Sequence, residues 1–319
     1  MRLLPLPFLL CVSLLPGRAT AQSIAPDGTV SAGGHGTGAT AMLSWSLGQV
    51  SGAQFTGGTH IITAGIQQPE VVRVRLSASI LLGGPYNTVS ALMNDGLRTA
   101  SLLPASEPYT AAGFVQHGEG GGEQVSPATL AVSGSNAIVD WVFVELRSAS
   151  LPQQVLSTRC ALVQRDGDVV DTDGTSPLLL SAVPGNYHVA VRHRNHLPVM
   201  TLNPVALGTT TTTLNFIDGS ATTYGTEAQR LNGAVRHLWP GDATVNHQVK
   251  YTGSGNDRDP ILIAVGSTTP NNTLANQYNP KDVNMDGSVK YTGTNNDRDP
   301  ILVTVGSTTP NNVRPAQLP

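Results

Sequence analysis

The chain has 319 residues, of which only 12% are charged, about half of the roughly 25% usual in soluble domains. Its 18 Lys and Arg against 21 Asp and Glu leave a net charge of -3, too little positive charge for a nucleic-acid footprint and too little net charge for charge-driven disorder. No apolar run approaches the ~20 residues that span a bilayer, and 34 Gly with 22 Pro point to short strands and many turns.

The first segment reads as an address. Arg2 precedes an apolar stretch from Leu3 to Leu15, then Pro16-Gly17 and Ala19-Thr20-Ala21. This is the charged start, apolar middle and small-residue exit of a secretory signal, with cleavage expected before Gln22. A buried N-terminal helix is the alternative, and the prolines fit it less well. Phe8-Leu9-Leu10 ahead of Cys11 lacks the small residue that precedes a lipidated cysteine, so release or non-lipid attachment is expected. Removing residues 1–21 takes Cys11 and leaves Cys160 alone. Stability then has to come from packing, strand pairing or bound metal, not from an internal disulfide.

Residues 22–70 form a Gly-rich β module in which stretches such as Ala41-Met42-Leu43-Ser44-Trp45-Ser46-Leu47 stand between glycine clusters. Residues 71–220 open with Val71-Val72-Arg73-Val74-Arg75-Leu76 and continue with strand candidates at Ala137–Leu146, Val155–Val163, Leu178–Leu180, Tyr187–Val191 and Thr211–Phe216. Strands of this length between Gly, Pro and Asp turns predict a mainly β fold, an antiparallel β-sandwich and not βαβ units. Ser90–Ala100 alone is expected to be helical, with Leu92, Met93 and Leu97 on one face. Residues 221–238 are expected to be a linker.

Several polar clusters in this region invite a chemical reading. Asp140 and Glu145 are five apart on one predicted strand, which sends them to opposite faces and argues against a catalytic carboxylate pair. Asp166-Gly167-Asp168 and Asp171-Thr172-Asp173-Gly174 fit tight turns, with calcium at Asp171 and Asp173 as the alternative. His193 and His196 lack the H-E-x-x-H pattern and are expected to hydrogen-bond at a strand end. No G-x-S-x-G surrounds a serine, and Cys160 in an apolar strand reads as a buried, inert thiol. No catalytic constellation emerges.

The strongest chemistry lies in a tandem repeat over residues 239–312, followed by a short tail, 313–319. Lys250-Tyr251-Thr252-Gly253 and Asn256-Asp257-Arg258-Asp259-Pro260-Ile261-Leu262 return 40 residues later as Lys290-Tyr291-Thr292-Gly293 and Asn296-Asp297-Arg298-Asp299-Pro300-Ile301-Leu302. Each copy then runs through Val-Gly-Ser-Thr-Thr-Pro-Asn-Asn, at 265–272 and 305–312. Two such units make a small domain in which each covers the other's apolar face.

Ahead of the second copy stands Asp282-Val283-Asn284-Met285-Asp286-Gly287-Ser288-Val289. Calcium takes several hard oxygens at once, and side chains at alternate positions of a tight loop converge on one ion. A glycine at position 6 permits the turn, and position 7 offers its carbonyl. The metal ligands are therefore expected to be Asp282, Asn284, Asp286 and Ser288. Position 12, where a bidentate carboxylate belongs, is Gly293, so a loop widened to Asp297 is expected, with Asp299 as the alternative. The competing reading is a cluster of Asx turns without metal. In the first copy Asp242 is kept and Asp257 is present, but Thr244, Asn246 and His247 replace Asn, Asp and Gly. That copy is either a weaker calcium site or a metal-free scaffold.

The tandem D-x-N-x-D-G loop pattern resembles the type I dockerin and related calcium-loop modules of bacterial surface proteins. The resemblance implies paired loop-helix units, calcium-dependent folding and a cohesin-like protein scaffold as partner, often within polysaccharide-degrading assemblies. Gly48-Gln49-Val50, Ala64-Gly65-Ile66-Gln67-Gln68-Pro69, Asn136-Ala137-Ile138-Val139-Asp140-Trp141-Val142 and Arg192-His193-Arg194-Asn195-His196-Leu197 look like secreted multi-module proteins of Bacteroidota. The expectation is an exported calcium-binding structural or interaction protein, acting in surface attachment, matrix assembly or complex docking. The alternative is an accessory polysaccharide-binding or polysaccharide-degrading subunit contacting a cell-surface glycan, for which an exposed Trp141 or Tyr187 would speak.

Overall fold

The computed structural model describes residues 32–37, 42–47, 54–57, 60–63 and 72–319. The predicted signal segment, with Cys11, lies outside the described residues. The chain divides into two compact units, Met1–Glu70 and Val71–Pro319. In the first, β1 (Ala32–Thr37) pairs antiparallel with β2 (Met42–Leu47), and β3 (Gln54–Gly57) with β4 (His60–Thr63).

The second unit opens with β5 (Arg73–Ser79), where Val74, Leu76 and Ala78 are buried and the arginines between them are exposed. Residues 90–100, expected to be one helix, instead hold β7 (Leu92–Met93), paired with β6 (Tyr86–Asn87), and a single helical turn, α1 (Gly96–Thr99). Met93 and Leu97 are buried, but Asn94-Asp95-Gly96 between them favours a turn over a continuous helix. A second short helix, α2 (Pro127–Leu130), begins at Ser126, whose Oγ accepts from Thr129 N–H, with proline in the first turn.

The sheet is built on β8 (Ile138–Ser148) and β9 (Val155–Gln164). It is extended by β10 (Asp168–Val170), β11 (Leu178–Ser181), β12 (Gly185–Arg192), β13 (Val199–Met200), β14 (Val205–Leu207) and β15 (Thr211–Asn215). The strand order is β11-β5-β10-β9-β8-β12-β13, with β14 on β12 and β15 on β5. All pairings are antiparallel except β5 with β15. Every residue of β8 except Ser148 is buried, so it reads as a near-continuous apolar run, as a strand covered on both faces must.

Residues 221–238, expected to be a linker, contain the hairpin β16 (Gln229–Asn232) and β17 (Val235–Leu238). Leu238 is buried in the sheet's core and donates its N–H to Leu81. The polar, glycine-containing Gln229–Leu238 sequence hides its anchors: buried Leu238 and His237, Val235 packed against the core, and Gln229 Nε2 donating to the Phe216 carbonyl.

The repeat follows as β18 (Gln248–Lys250), α3 (Arg258–Ala264) and β19 (Thr273–Ala275), then β20 (Ser288–Lys290), α4 (Arg298–Thr304) and β21 (Val313–Pro315). β18 pairs with β21 and β19 with β20, so each copy lends a strand to the other. The threonines repeat the exchange: Thr252 Oγ1 donates to the Pro310 carbonyl and Thr292 Oγ1 to that of Pro270, both at 3.1 Å. Val249, Ile261, Val289 and Ile301 form the shared core, which also takes Leu197 from beyond β12. In return Met285, inside the second loop, is buried in the sheet's core, with Tyr278 packed against it. No helix among the described residues is long and apolar enough to cross a membrane.

Candidate metal centre

The second loop gathers its residues around two buried carboxylates. Asp282 and Asp297 are each 0% exposed. Asp282 accepts from the N–H of Asp286 at 3.1 Å and of Gly287 at 2.8 Å. Asn284 Oδ1 accepts from that same Asp286 N–H at 2.9 Å, which ties positions 1, 3 and 5 of the loop together. Asp297 reaches back across the widened loop: its Oδ1 accepts from Val283 N–H at 2.7 Å and its Oδ2 from Lys290 N–H at 2.8 Å. Asp286 is exposed, with Oδ1 accepting from Ser288 N–H. Asp299 turns away to Asn296 and Arg298. The turn itself needs the left-handed backbone of Gly287, φ 84°. A neighbouring glycine, Gly84, packs so closely that a Cβ there would stand 2.1 Å from the Val283 carbonyl oxygen.

Among the described residues no Lys, Arg or His side chain bonds Asp282 or Asp297. Burial pushes the Asp282 carboxyl up to about 7, although Arg194 and the loop amides oppose it. Burial, reinforced by the charge of Asp282, pushes Asp297 up to about 8. Two desolvated carboxylates, one raised by the charge of the other, are costly as anions, and a divalent cation bound by them would offset that cost.

The first copy keeps the cage and changes its filling. Asp242 accepts from the N–H of Asn246 at 2.9 Å and of His247 at 3.0 Å. Asp257 accepts from Lys250 N–H and from Thr244 N–H. In addition the Thr244 hydroxyl donates to Asp257 Oδ1 at 2.9 Å, whereas the matching Asp297 Oδ1 accepts from the N–H groups of Val283 and Asn284. Burial and the charge of Asp257 raise Asp242 to about 7.

The remaining clusters are tied into the fold by hydrogen bonds and ion pairs. Asp173 caps its turn by accepting from Thr175 and Ser176 N–H, and Asp171 pairs with Arg159. Glu107, Glu123 and Cys160, a group that sequence reasoning did not single out, bring one ligand atom each within 4.8 Å of one another. Their valences are largely used: Glu107 accepts from Tyr109 and Thr110 N–H, and Glu123 from Gly121 and Cys160 N–H. Burial, with the charge of Glu123 next, pushes the Cys160 thiol far up.

A second arrangement invisible in the sequence joins sheet and repeat. Asp140, on β8, bonds Arg194 Nε at 2.9 Å, His193 Nε2 at 3.1 Å and the Tyr278 hydroxyl at 2.7 Å. Burial opposes the Asp140 charge, but Arg194, His193 and Tyr278 hold its carboxyl down to about 2. Burial lowers both His193 and His196, so both are neutral at pH 7. Trp141 is fully buried, its Nε1–H donating to the Pro104 carbonyl, and Tyr187 is buried with its hydroxyl on Val183.

Compared with protein-family models, with curated proteins and with solved structures, the chain matches none.

Proposed function

We propose that this protein is a secreted or cell-surface calcium-binding structural and interaction protein, serving attachment, matrix assembly or complex docking. In this reading a β-sandwich carries a dockerin-like tandem repeat, and calcium is held by Asp282, Asn284, Asp286, Ser288 and Asp297, with a weaker site at Asp242 and Asp257. The observation that carries it is the pair of buried carboxylates, Asp282 and Asp297, facing one loop without a bonded cation among the described residues. Calcium supplies the missing charge and accepts the mixture of carboxylate, amide and carbonyl oxygens that such a loop offers, so binding is coupled to the order of the loop. The partner in this reading is a cohesin-like scaffold or a cell-surface glycan.

The second reading, an accessory subunit of polysaccharide breakdown, asks for an aromatic platform, and Trp141 and Tyr187 are both buried. The first reading is therefore preferred. Calorimetric titration of the full chain with calcium, beside melting curves with and without chelator, tests it: a heat of binding and a higher melting temperature in calcium are expected. No heat and an unchanged melting temperature would leave the loops as metal-free turns.

A further inference from the structure

Asn195 is fully buried and touches the first ligand position of both loops. Its Nδ2 donates to the Asp282 carbonyl at 2.7 Å and to that of Pro280 at 3.2 Å. Its own backbone carbonyl accepts from the N–H groups of Gly241 at 3.0 Å and Asp242 at 3.2 Å. One residue of the sheet unit thus holds Asp282 through its side chain and Asp242 through its backbone.

The amide is oriented by chemistry on its other side. Gly84 N–H donates to His196 Nε2 at 2.9 Å. A neutral imidazole with an accepting Nε2 carries its proton on Nδ1, and His196 Nδ1 faces Asn195 Oδ1 at 2.8 Å. The same proton also faces His193 Nδ1 at 3.0 Å, while His193 Nε2 donates to Asp140. Asn195 Oδ1 therefore meets a donor, and Nδ2 is left to the two carbonyls. The reverse assignment would set its oxygen against them.

We propose that Asn195 is the positioning residue of the calcium site: it touches no ion, but by fixing the Asp282 backbone to the sheet it sets where the first carboxylate stands and hence how tightly calcium binds. The proposal rests on the calcium reading above. The Asp282 carboxylate also carries the loop's turn through Asp286 and Gly287 N–H, so a displacement at position 1 is passed to positions 5 and 6. Hydrogen-bonding partners behind metal ligands typically change affinity by roughly 10–100-fold when removed.

The test compares calcium affinity in the full chain for wild type, Asn195→Ala, Asn195→Asp and Tyr278→Phe, each also melted in chelator. Asn195→Asp keeps the shape and replaces the donor with a carboxylate oxygen, so it serves if Asn195→Ala does not fold. Tyr278→Phe removes a buried bond to Asp140 and no hydrogen bond made to either loop. Affinity roughly 10–100-fold weaker in the Asn195 variants, with Tyr278→Phe binding as wild type does, is the expected result. Asn195 variants that melt lower in chelator yet bind calcium with wild-type affinity would overturn the positioning role while leaving the calcium reading intact. A wild-type chain that binds no calcium would overturn both.

Discussion

His247 stands in the first repeat where Gly287 stands in the second, and both hold a left-handed backbone, φ 66° and 84°. The first loop has thus kept the turn while losing the residue suited to it. A histidine in this region carries a penalty of roughly 1–2 kcal/mol that glycine escapes. His247 offsets part of this, since its Nε2 lies 2.7 Å from Arg192 Nη2. The double change Asn246→Asp with His247→Gly restores the carboxylate at position 5 and the turn residue at position 6 beside Asp242. It should convert the first loop into a second measurable site, read as an increase in calorimetric calcium stoichiometry. Unchanged stoichiometry would mean that the Thr244 hydroxyl on Asp257 already closes that cage.

The two copies should also respond differently to truncation. Asp286→Ala removes an exposed carboxylate, a calcium ligand in the proposed reading, whose side chain accepts from Ser288 N–H, so calcium affinity should fall by at least about tenfold, equivalent to about 1.4 kcal/mol, with little change in the chelator melting curve. Asn246→Ala, at the matching position of the first copy, should leave the tighter binding event untouched. The opposite ranking would show that the first copy holds the principal site.

Asp140 gives the fold a dependence on acid. Its pKa falls from an ordinary value of 3.8 to about 2 in the folded state, so the stabilisation is fully present above pH ~4 and is lost as pH drops toward 2. The depression corresponds to about 2 kcal/mol. Asp140→Asn, which leaves Arg194 buried without its counter-charge, should cost about 3–5 kcal/mol at pH 7. In urea unfolding at a series of pH values, the gap between wild type and variant should narrow between pH 5 and 2. A gap independent of pH would assign the cost to packing alone.

The strands were legible because β8, β9 and β12 carry apolar runs bounded by turn residues, and the loop because the Asp282, Asn284, Asp286 spacing fits a tight polar turn, the turn that the Asn284 and Asp286 side chains cap. That Asp297 closes back on this loop could be anticipated because position 12 is Gly293 and the next carboxylate lies one turn on. The Asp140–Arg194 joint was not legible: its partners are 54 residues apart in sequence, and Arg192-His193-Arg194-Asn195-His196 reads as a polar strand end until Asp140 and Tyr278 are brought beside it. The repeat likewise reads as a separate module, because nothing in Met285 or Leu197 announces that each is buried in the other's core.

That exchange of core residues predicts how the second unit unfolds. Met285 lies between Asn284 and Asp286 and is 1% exposed within the sheet's core, so the loop cannot open without uncovering the sheet. Met285→Ala should cost about 2–5 kcal/mol and lower the melting temperature of sheet and repeat together. Calcium should in turn slow hydrogen exchange in β8, far along the chain from the loop, because binding to the native form alone stabilises everything that unfolds with it. Protection gained only within residues 239–312, with β8 unaffected, would show instead that the repeat opens on its own and that its contacts with the sheet are too weak to couple them.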